Sequence, residues 1–375
     1  MDTGISETIS PSSTLAADHE HAILSRTTTS TTKHHHQHTH QAPPPCTARL
    51  QASQEERPFN LNQFVEETHT TNEPTVLYLA YGSNLSIEKF RGARGIEPLS
   101  QINVIVPSLR LTFDLPGIPY LEPCFANSAK RDPENGSTRE ESGGLTRKRG
   151  YRKDEWHKGM VGVVYEVTAK DYAHIIATEG GGSTYADVLV DCHPFVSSDV
   201  HVPVEQHPTT PSFKAHTLFA PATLPGERPP KDGGRLQRPR SSYAQASARY
   251  LKLITDGAAE LGLPNEYQQY LLSIRPYRIT TYKQRAGMLL FSVMWVPFFL
   301  LLFALGRMFQ DKNGIAPPWL AKLTATIFKA VWTSYDNVFE PAFGDGERTI
   351  GDDVGVLGDG ANTRVYNTDL EKMAG

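Results

Sequence analysis

The sequence TVLYLAYGSNL occupies residues 75–85 and contains the clearest structural signal in the chain. Its β-branched and aromatic part, residues 76–80, predicts a strand, and the Gly-Ser-Asn that follows predicts a turn. Such a turn directs several backbone N–H groups to one point and can bind an anion. Gly82 allows close backbone approach, and Ser83 and Asn84 add short polar groups. An ordinary tight turn is the alternative interpretation, because this composition is common in turns.

Outward from this stretch, short apolar runs alternate with helical patterns. Strands are predicted where β-branched and aromatic residues cluster or alternate with polar ones, and helices where apolar residues recur at helical spacing. The predicted strands are 102–106, 109–113, 160–167, 185–190 and 213–220, and the predicted helices are 87–91, 171–178, 244–261 and one that begins after Pro264. Because βαβ units do not alternate regularly, we expect an α+β domain with a mixed or partly closed sheet.

Composition divides the chain into four parts. Residues 1–73 are rich in Ser, Thr, His, Gln and Pro and predict disorder, because few apolar side chains could offset the entropy of ordering. Residues 74–280 are expected to form the folded domain, with 130–158 as a charged surface insertion. A membrane helix is expected at 285–309 and a tail at 310–375.

The segment 286–306 carries no charged residue over 21 positions. At about 1.5 Å rise per residue it is roughly 31 Å long, the thickness of a hydrocarbon core. We therefore expect a single-pass membrane protein, and Lys283 and Arg285 favour a cytosolic catalytic domain. The alternative is a buried helix or one that lies flat on the membrane, and Pro297 could kink it. Residues 319–332 could form a second, amphipathic interfacial helix.

Charge and cysteine content argue against several classes of function. The formal net charge is −4 and no local basic patch stands out, so nucleic acid is not an expected partner. Cys46, Cys124 and Cys192 lack CxxC spacing, so neither a disulfide framework nor a zinc site is indicated. The N-terminus lacks the apolar region of a secretory signal, so we expect the chain to begin in the cytosol.

The YGSNL of residues 81–85 resembles the signature of the γ-glutamylcyclotransferase family, and is closest in character to fungal members encoded beside gliotoxin-like pathways. Further matches follow in order at 162–165, 179–180, 185, 247–250, 257–258 and 262–267. The resemblance covers about Thr75 to Pro276. It implies a small mixed β-barrel with flanking helices, a pocket at the YGSNL loop and one glutamate as general acid and base. The implied reaction cyclises a γ-glutamyl group to 5-oxoproline and releases the attached amine, without metal or organic cofactor.

Glu179 is the expected catalytic residue. It lies between a predicted helix and a Gly-Gly-Gly-Ser run, where a loop can open a cavity, and it matches the catalytic Glu-Gly of the family. A solvent-exposed glutamate is the alternative, although a carboxylate at a helix C-terminus is unfavourable in the field of the helix dipole. The expected substrate-binding residues are Tyr81, Gly82, Ser83, Asn84, Leu85, Tyr185 and Tyr250. For Tyr185 and Tyr250, only the resemblance distinguishes this role from that of a core tyrosine.

Two alternatives to an enzyme acting on γ-glutamyl-amino acids stay open. One is an enzyme of the same fold that acts on γ-glutamylamines or γ-glutamylated natural products. The other is a membrane-tethered binding module that has lost catalysis. Glu179 favours an enzyme, because a protein that no longer catalyses the reaction has no reason to keep that carboxylate.

Overall fold

The computed structural model describes residues 41–58, 74–133, 156–178, 186–220, 238, 243–309 and 317–351. The strands are β1 (Thr75–Ala80), β2 (Ser100–Val106), β3 (Leu109–Ile118), β4 (Glu122–Lys130), β5 (Met160–Thr168), β6 (Ala186–Pro194) and β7 (Phe213–Phe219). The helices are α1 (Thr47–Ala52), α2 (Ala169–Thr178), α3 (Ala248–Glu260), α4 (Asn265–Ser273), α5 (Tyr282–Phe309) and α6 (Pro318–Ser334). Shorter helical turns lie at Ser83–Leu85, Glu88–Ala93, Tyr335–Phe339 and Glu340–Phe343.

Five strands close into a barrel in the order β1-β5-β2-β6-β7. Neighbouring strands are antiparallel, except that β1 runs parallel to β7, with Tyr78 opposite His216. The β3–β4 hairpin forms a separate two-stranded sheet. The expectation of a mixed barrel with flanking helices is thereby confirmed. Closure pairs both edges of the sheet, which would otherwise be open to other chains.

The core strands β1 and β5 pack closely. Both consist almost entirely of buried apolar residues, as expected for strands covered on both faces. Gly162 of β5 lies against β1, and a Cβ atom there would stand 2.5 Å from the Ala80 carbonyl oxygen. Glycine is therefore required at this position by the close approach of the two backbones.

One strand, β4, has no counterpart among the predicted strands. Its sequence EPCFANSAK contains Pro, Asn, Ala and Lys, which are depleted in strands. The strand forms because β3 supplies a hydrogen-bonding partner, from Leu109 opposite Lys130 to Ile118 opposite Glu122. Tertiary pairing therefore overrides a weak local preference here.

Part of the N-terminal region that was predicted to be disordered is ordered. Residues 41–58 include α1, and Arg49 links this segment to the barrel through a hydrogen bond to the Thr75 carbonyl oxygen at 3.1 Å and an ion pair with Glu166 at 3.2 Å. The prediction for residues 1–73 is therefore wrong for this part, because polar contacts from Arg49 together with packing of Leu50 against the core order the segment. Residues 1–40 and 59–73 lie outside the described residues.

A buried histidine adds a second contact between the segment 41–58 and the barrel. His216 on β7 has its Nε2 atom 3.0 Å from Glu56 and its Nδ1 atom 3.0 Å from Asp187. Asp187 also accepts a hydrogen bond from the Tyr172 hydroxyl at 2.5 Å. Burial lowers the pKa of His216, but the hydrogen bonds to Asp187 and Glu56 outweigh this effect and raise the pKa to about 9. The imidazole is therefore charged at neutral pH.

The chain after α5 packs against the barrel domain and differs in this respect from the predicted tail. The Gly346 carbonyl oxygen accepts from the Tyr120 N–H at 2.8 Å, and the Glu347 carbonyl oxygen accepts from the Gln245 N–H at 2.8 Å. Residues up to 351 thus belong to the fold. Among the described residues, α5 alone is long and apolar enough to cross a membrane, and it continues through Pro297 as one helix.

Candidate active site

The Gly-Ser-Asn loop at the end of β1 is a single tight turn. The Leu85 N–H donates to the Gly82 carbonyl oxygen at 3.0 Å. Ser83, Asn84 and Leu85 are all buried. Because the Leu85 N–H is used within the turn, a backbone anion site at this loop can draw only on positions before Leu85.

The Asn84 side chain points back to β1. Its Nδ2 atom donates to the Tyr78 hydroxyl at 2.7 Å. The Tyr78 ring in turn contacts Phe90, with ring centroids 6.3 Å apart, and Tyr172 of α2 at 5.7 Å. The amide is thus positioned by a layer of aromatic side chains between the barrel and α2.

Lys89 brings a positive charge to the loop, and it was not among the residues expected from the sequence. Its Nζ atom donates to the Ser83 hydroxyl at 2.6 Å. The side chain is half-buried. A usable signal was present, since Lys89 lies in the helical turn directly after the loop, and a helical turn can bring its side chains back towards the loop that precedes it.

Tyr250 also lies at the loop. Its hydroxyl is 3.6 Å from the position that a Cβ on Gly82 would occupy. The same hydroxyl accepts from the Ala126 N–H at 3.2 Å. Tyr81, by contrast, donates its hydroxyl to the Leu218 carbonyl oxygen at 3.1 Å, so its polar end serves the packing of the barrel.

The helix α3 carries Tyr250 and packs directly on the loop. Ser247 caps the start of this helix, because its side chain accepts from the Tyr250 N–H at 3.0 Å and holds that residue in the first turn. Further along α3, Gly257 contacts the backbone of Leu85. The loop is therefore held between β1 on one side and α3 on the other.

Glu179 and Tyr185 lie outside the described residues, but the structure describes the residue before Glu179. The start of α2 lies at the start of β1, because the Ala169 N–H donates to the Pro74 carbonyl oxygen at 2.9 Å. Further along, Tyr172 contacts Tyr78. The helix thus runs in the same direction as β1 and ends, at Thr178, at the barrel end that holds the Gly-Ser-Asn loop.

The residue after Tyr185 lies at the same end. Ala186 begins β6 and pairs with Phe219 at the end of β7. Because β7 is parallel to β1 and the Leu218 carbonyl oxygen accepts from Tyr81, the end of β7 lies beside the loop. Both described neighbours of the segment 179–185 are therefore at the loop end of the barrel.

Two other carboxylates of the barrel domain, those of Glu166 and Glu122, have structural partners. Glu166 accepts from the Thr75 hydroxyl at 2.8 Å and the Ser100 hydroxyl at 2.7 Å. Glu122 accepts from the Ser247 hydroxyl at 2.6 Å. Neither carboxylate is at the Gly-Ser-Asn loop. In the part of the chain that the structure describes, no group of three or more His, Cys, Asp or Glu residues could hold a metal ion.

Comparison with known proteins gives matches over most of the chain. A family described as AclK C-terminal domain matches residues 281–342. The chain is 32% identical over 273 residues to the gamma-glutamyl cyclotransferase gliK of Aspergillus fumigatus, covering 72% of this chain and 89% of the relative. It is 30% identical to the gamma-glutamyl cyclotransferase aclK of Aspergillus oryzae, covering 72% and 90%. A solved structure of a gamma-glutamyl cyclotransferase matches with a TM-score of 0.36 and 17% identity over 57% of this chain and 97% of that chain.

Proposed function

The chain belongs to the γ-glutamyl cyclotransferase family of enzymes, and on that premise we propose that it converts a small γ-glutamyl compound to 5-oxoproline and releases the attached amine. The observation that supports a site at the Gly-Ser-Asn loop is a convergence of chain segments. Thr178 and Ala186, which flank the segment 179–185, lie at the barrel end where β1 meets that loop. In this proposal Glu179 is the catalytic residue, and it acts beside the loop.

The reaction needs one group that both accepts and donates a proton. The substrate's α-amino nitrogen loses a proton and attacks its own γ-carbonyl carbon, which forms the five-membered lactam. The bond from that carbon to the departing amine then breaks, and the amine takes up a proton. In the proposal the Glu179 carboxylate accepts the first proton and supplies the second. Because the attack is intramolecular, the main task of the protein is to hold the bent conformer of the substrate.

Lys89 and the loop supply the charge needed to hold such a substrate. A γ-glutamyl compound carries an α-carboxylate, and an ammonium group is a suitable partner for it. The Lys89 ammonium lies 2.6 Å from the Ser83 hydroxyl, so a carboxylate at this point could contact both groups. In the proposal, Gly82, Tyr250 and Tyr185 form the adjoining walls, and Tyr81, Asn84 and Leu85 hold the loop in place.

We further propose that the protein attaches to a membrane through α5 and faces the cytosol with its catalytic domain. The support is the uncharged run 286–306 together with the exposure of most of the apolar side chains of α5. A contiguous exposed apolar surface of this kind is typical of a site that contacts a membrane or another protein.

The proposed reaction is tested by incubating the purified full-length protein in detergent with a panel of γ-glutamyl compounds. The panel contains a γ-glutamyl-amino acid, glutathione, a γ-glutamylamine and a γ-glutamylated natural product, and 5-oxoproline and the free amine are measured by mass spectrometry. Equimolar release of both products from at least one compound is the expected result, and the best compound identifies the amine. Binding of a compound without product would instead favour the non-catalytic binding module.

A further inference from the structure

The helices α5 and α6 form an antiparallel hairpin. Their contacts run in opposite order along the chain: the Trp295 indole N–H donates to the Ser334 hydroxyl at 3.0 Å, and the ring centroids of Phe309 and Trp319 are 5.2 Å apart. Both ends of the hairpin lie at the barrel domain. Gln284 at the start of α5 donates to the Asp345 carbonyl oxygen at 2.7 Å, beyond the end of α6.

The outer side of α5 is apolar along its whole length. Leu289, Val296 and Phe303 are spaced by seven residues, so they lie on one face of the helix. They are 62%, 37% and 72% exposed. Phe291 and Phe299 are buried in the cluster that α5 shares with α6. On the side of α5 opposite these two residues, Val293 and Leu300 are also spaced by seven residues and are 68% and 63% exposed, so the surface of the helix that points away from α6 is apolar.

The outer side of α6 is polar instead. Lys322, Thr326, Lys329 and Thr333 follow one another at helical spacing, and all four are exposed. We call these four residues the lysine stripe. Val331 of α6 is fully buried in the cluster that α6 shares with α5, on the side of the helix opposite the stripe. The hairpin thus has an apolar side formed by α5 and a cationic side formed by α6.

This arrangement is costly for a hairpin that stands upright across a bilayer. Lys329 follows Phe328, whose ring contacts Phe299 at 5.5 Å, close to the middle of α5. In an upright hairpin the exposed Lys329 ammonium would be near the bilayer midplane, where insertion of a lysine is strongly unfavourable. In a hairpin that lies flat, the apolar side contacts acyl chains and the lysine stripe stays at the surface.

We propose that the α5–α6 hairpin is an in-plane membrane anchor, with α5 immersed in one leaflet and the lysine stripe at the level of anionic phospholipid headgroups. Charge complementarity selects this occupant: the exposed Lys283 and Arg285 at the start of α5 add to the positive charge of the stripe. The proposal rests on membrane attachment but not on the chemistry of the barrel. In this proposal the chain does not cross the membrane once, as the sequence predicted. Residues up to 351 instead stay on the same side of the membrane as the catalytic domain.

Depth measurements on the full-length protein in phospholipid vesicles test the orientation. An environment-sensitive fluorophore is attached to single cysteines, Leu289→Cys, Val296→Cys or Phe303→Cys, in a background in which the exposed Cys46 is replaced by serine. Quenching by lipids labelled at different depths then reports the position of each site. A flat hairpin gives the same depth at all three sites. An upright helix puts the outer two labels about 21 Å apart along the membrane normal, with Val296 deepest, and that result would overturn the proposal.

Vesicle flotation tests the role of the lysine stripe. Replacement of Lys322 and Lys329 by glutamine is expected to weaken binding to vesicles containing phosphatidylserine roughly tenfold or more, with little effect on neutral vesicles. Replacement of the exposed Lys130 and Lys170 on the barrel domain is the matched control and should leave binding unchanged. The proposal would be overturned if both double variants lost vesicle binding equally, or if the protein formed a stable dimer that did not bind vesicles. Product formation is assayed separately, so a failure of the proposed reaction leaves these readouts intact.

Discussion

The backbones of Gly257 and Leu85 are in direct contact: a Cβ atom on Gly257 would lie 2.4 Å from the Leu85 carbonyl carbon. A contact this short leaves no room for any side chain at position 257. The helix α3 and the Gly-Ser-Asn loop are therefore positioned by one another, and the family match at residues 257–258 has a structural reason.

Gly257→Ala is expected to displace the loop and to lower both thermal stability and 5-oxoproline formation. Overpacking of a filled site costs about 1–3 kcal/mol, which exceeds the roughly 1 kcal/mol that alanine gains over glycine in a helix. Thermal unfolding and steady-state kinetics in detergent measure the two effects. Gly92→Ala is the control, because Gly92 also lies in a helical turn and has nothing within 4 Å of its added Cβ. Equal behaviour of the two variants would contradict the contact.

Glu179→Gln is expected to reduce kcat at least about a hundredfold, because an amide has the shape of the carboxylate but cannot carry protons. Thermal unfolding should be unchanged, and the same substitution at the exposed Glu205 should leave kcat unaffected. Activity within tenfold of the unaltered protein would remove Glu179 from its proposed role.

Lys89→Met is expected to raise KM roughly tenfold or more, since a charge-assisted hydrogen bond to the substrate's α-carboxylate is lost. Lys89→Arg keeps the positive charge and should recover most of the affinity. The decisive comparison uses a substrate whose α-carboxylate is amidated, because the unaltered protein and the methionine variant should have similar KM values for that compound. A methionine variant that loses activity equally on both substrates would mean that Lys89 only supports Ser83.

Features of this site that are encoded within a short stretch of sequence could be predicted, and features that depend on residues distant in sequence could not. The strand β1 and its turn are encoded within residues 75–85 and were predicted correctly. The position of Lys89 in the helical turn directly after the loop is a local signal for its role, whereas β4 depends on pairing with β3 and could not be predicted from local pattern. The ordered segment 41–58 was missed for a related reason, because its partners Glu166 and His216 are distant in sequence.

The charged state of His216 predicts a stability that declines at alkaline pH. The folded pKa of about 9 is raised above the unfolded value of about 6.5, so the stabilisation is fully present below about pH 6.5 and is lost as the pH rises through about 9. The contribution is on the order of 3 kcal/mol. Denaturant unfolding at pH 6.5 and 9.5 measures it. The difference in unfolding free energy between the unaltered protein and His216→Gln should shrink at the higher pH, and a constant difference would speak against a charged imidazole.

A chain that ends at Gln284 is expected to be less stable than one that ends at Gly351. The shorter chain lacks the backbone hydrogen bonds from Tyr120 to Gly346 and from Gln245 to Glu347, and it exposes the Tyr120 side chain that they cover. Both chains are compared by thermal unfolding and limited proteolysis, with activity as a second readout. Equal protection of the barrel in the two chains would show that it folds without its C-terminal residues.

The hydrogen bond between Tyr120 and Gly346 also determines the order of events during synthesis. Residue 346 leaves the ribosome after the barrel strands and after the whole of α5, so the barrel domain cannot complete its packing until residue 346 has been made. Over that interval the apolar face of α5 is exposed beside an unfinished domain, a state that is prone to aggregation. Early capture of α5 by a lipid surface or a chaperone would thus protect the nascent chain, so a membrane contact of α5 would matter during synthesis as well as in the folded protein.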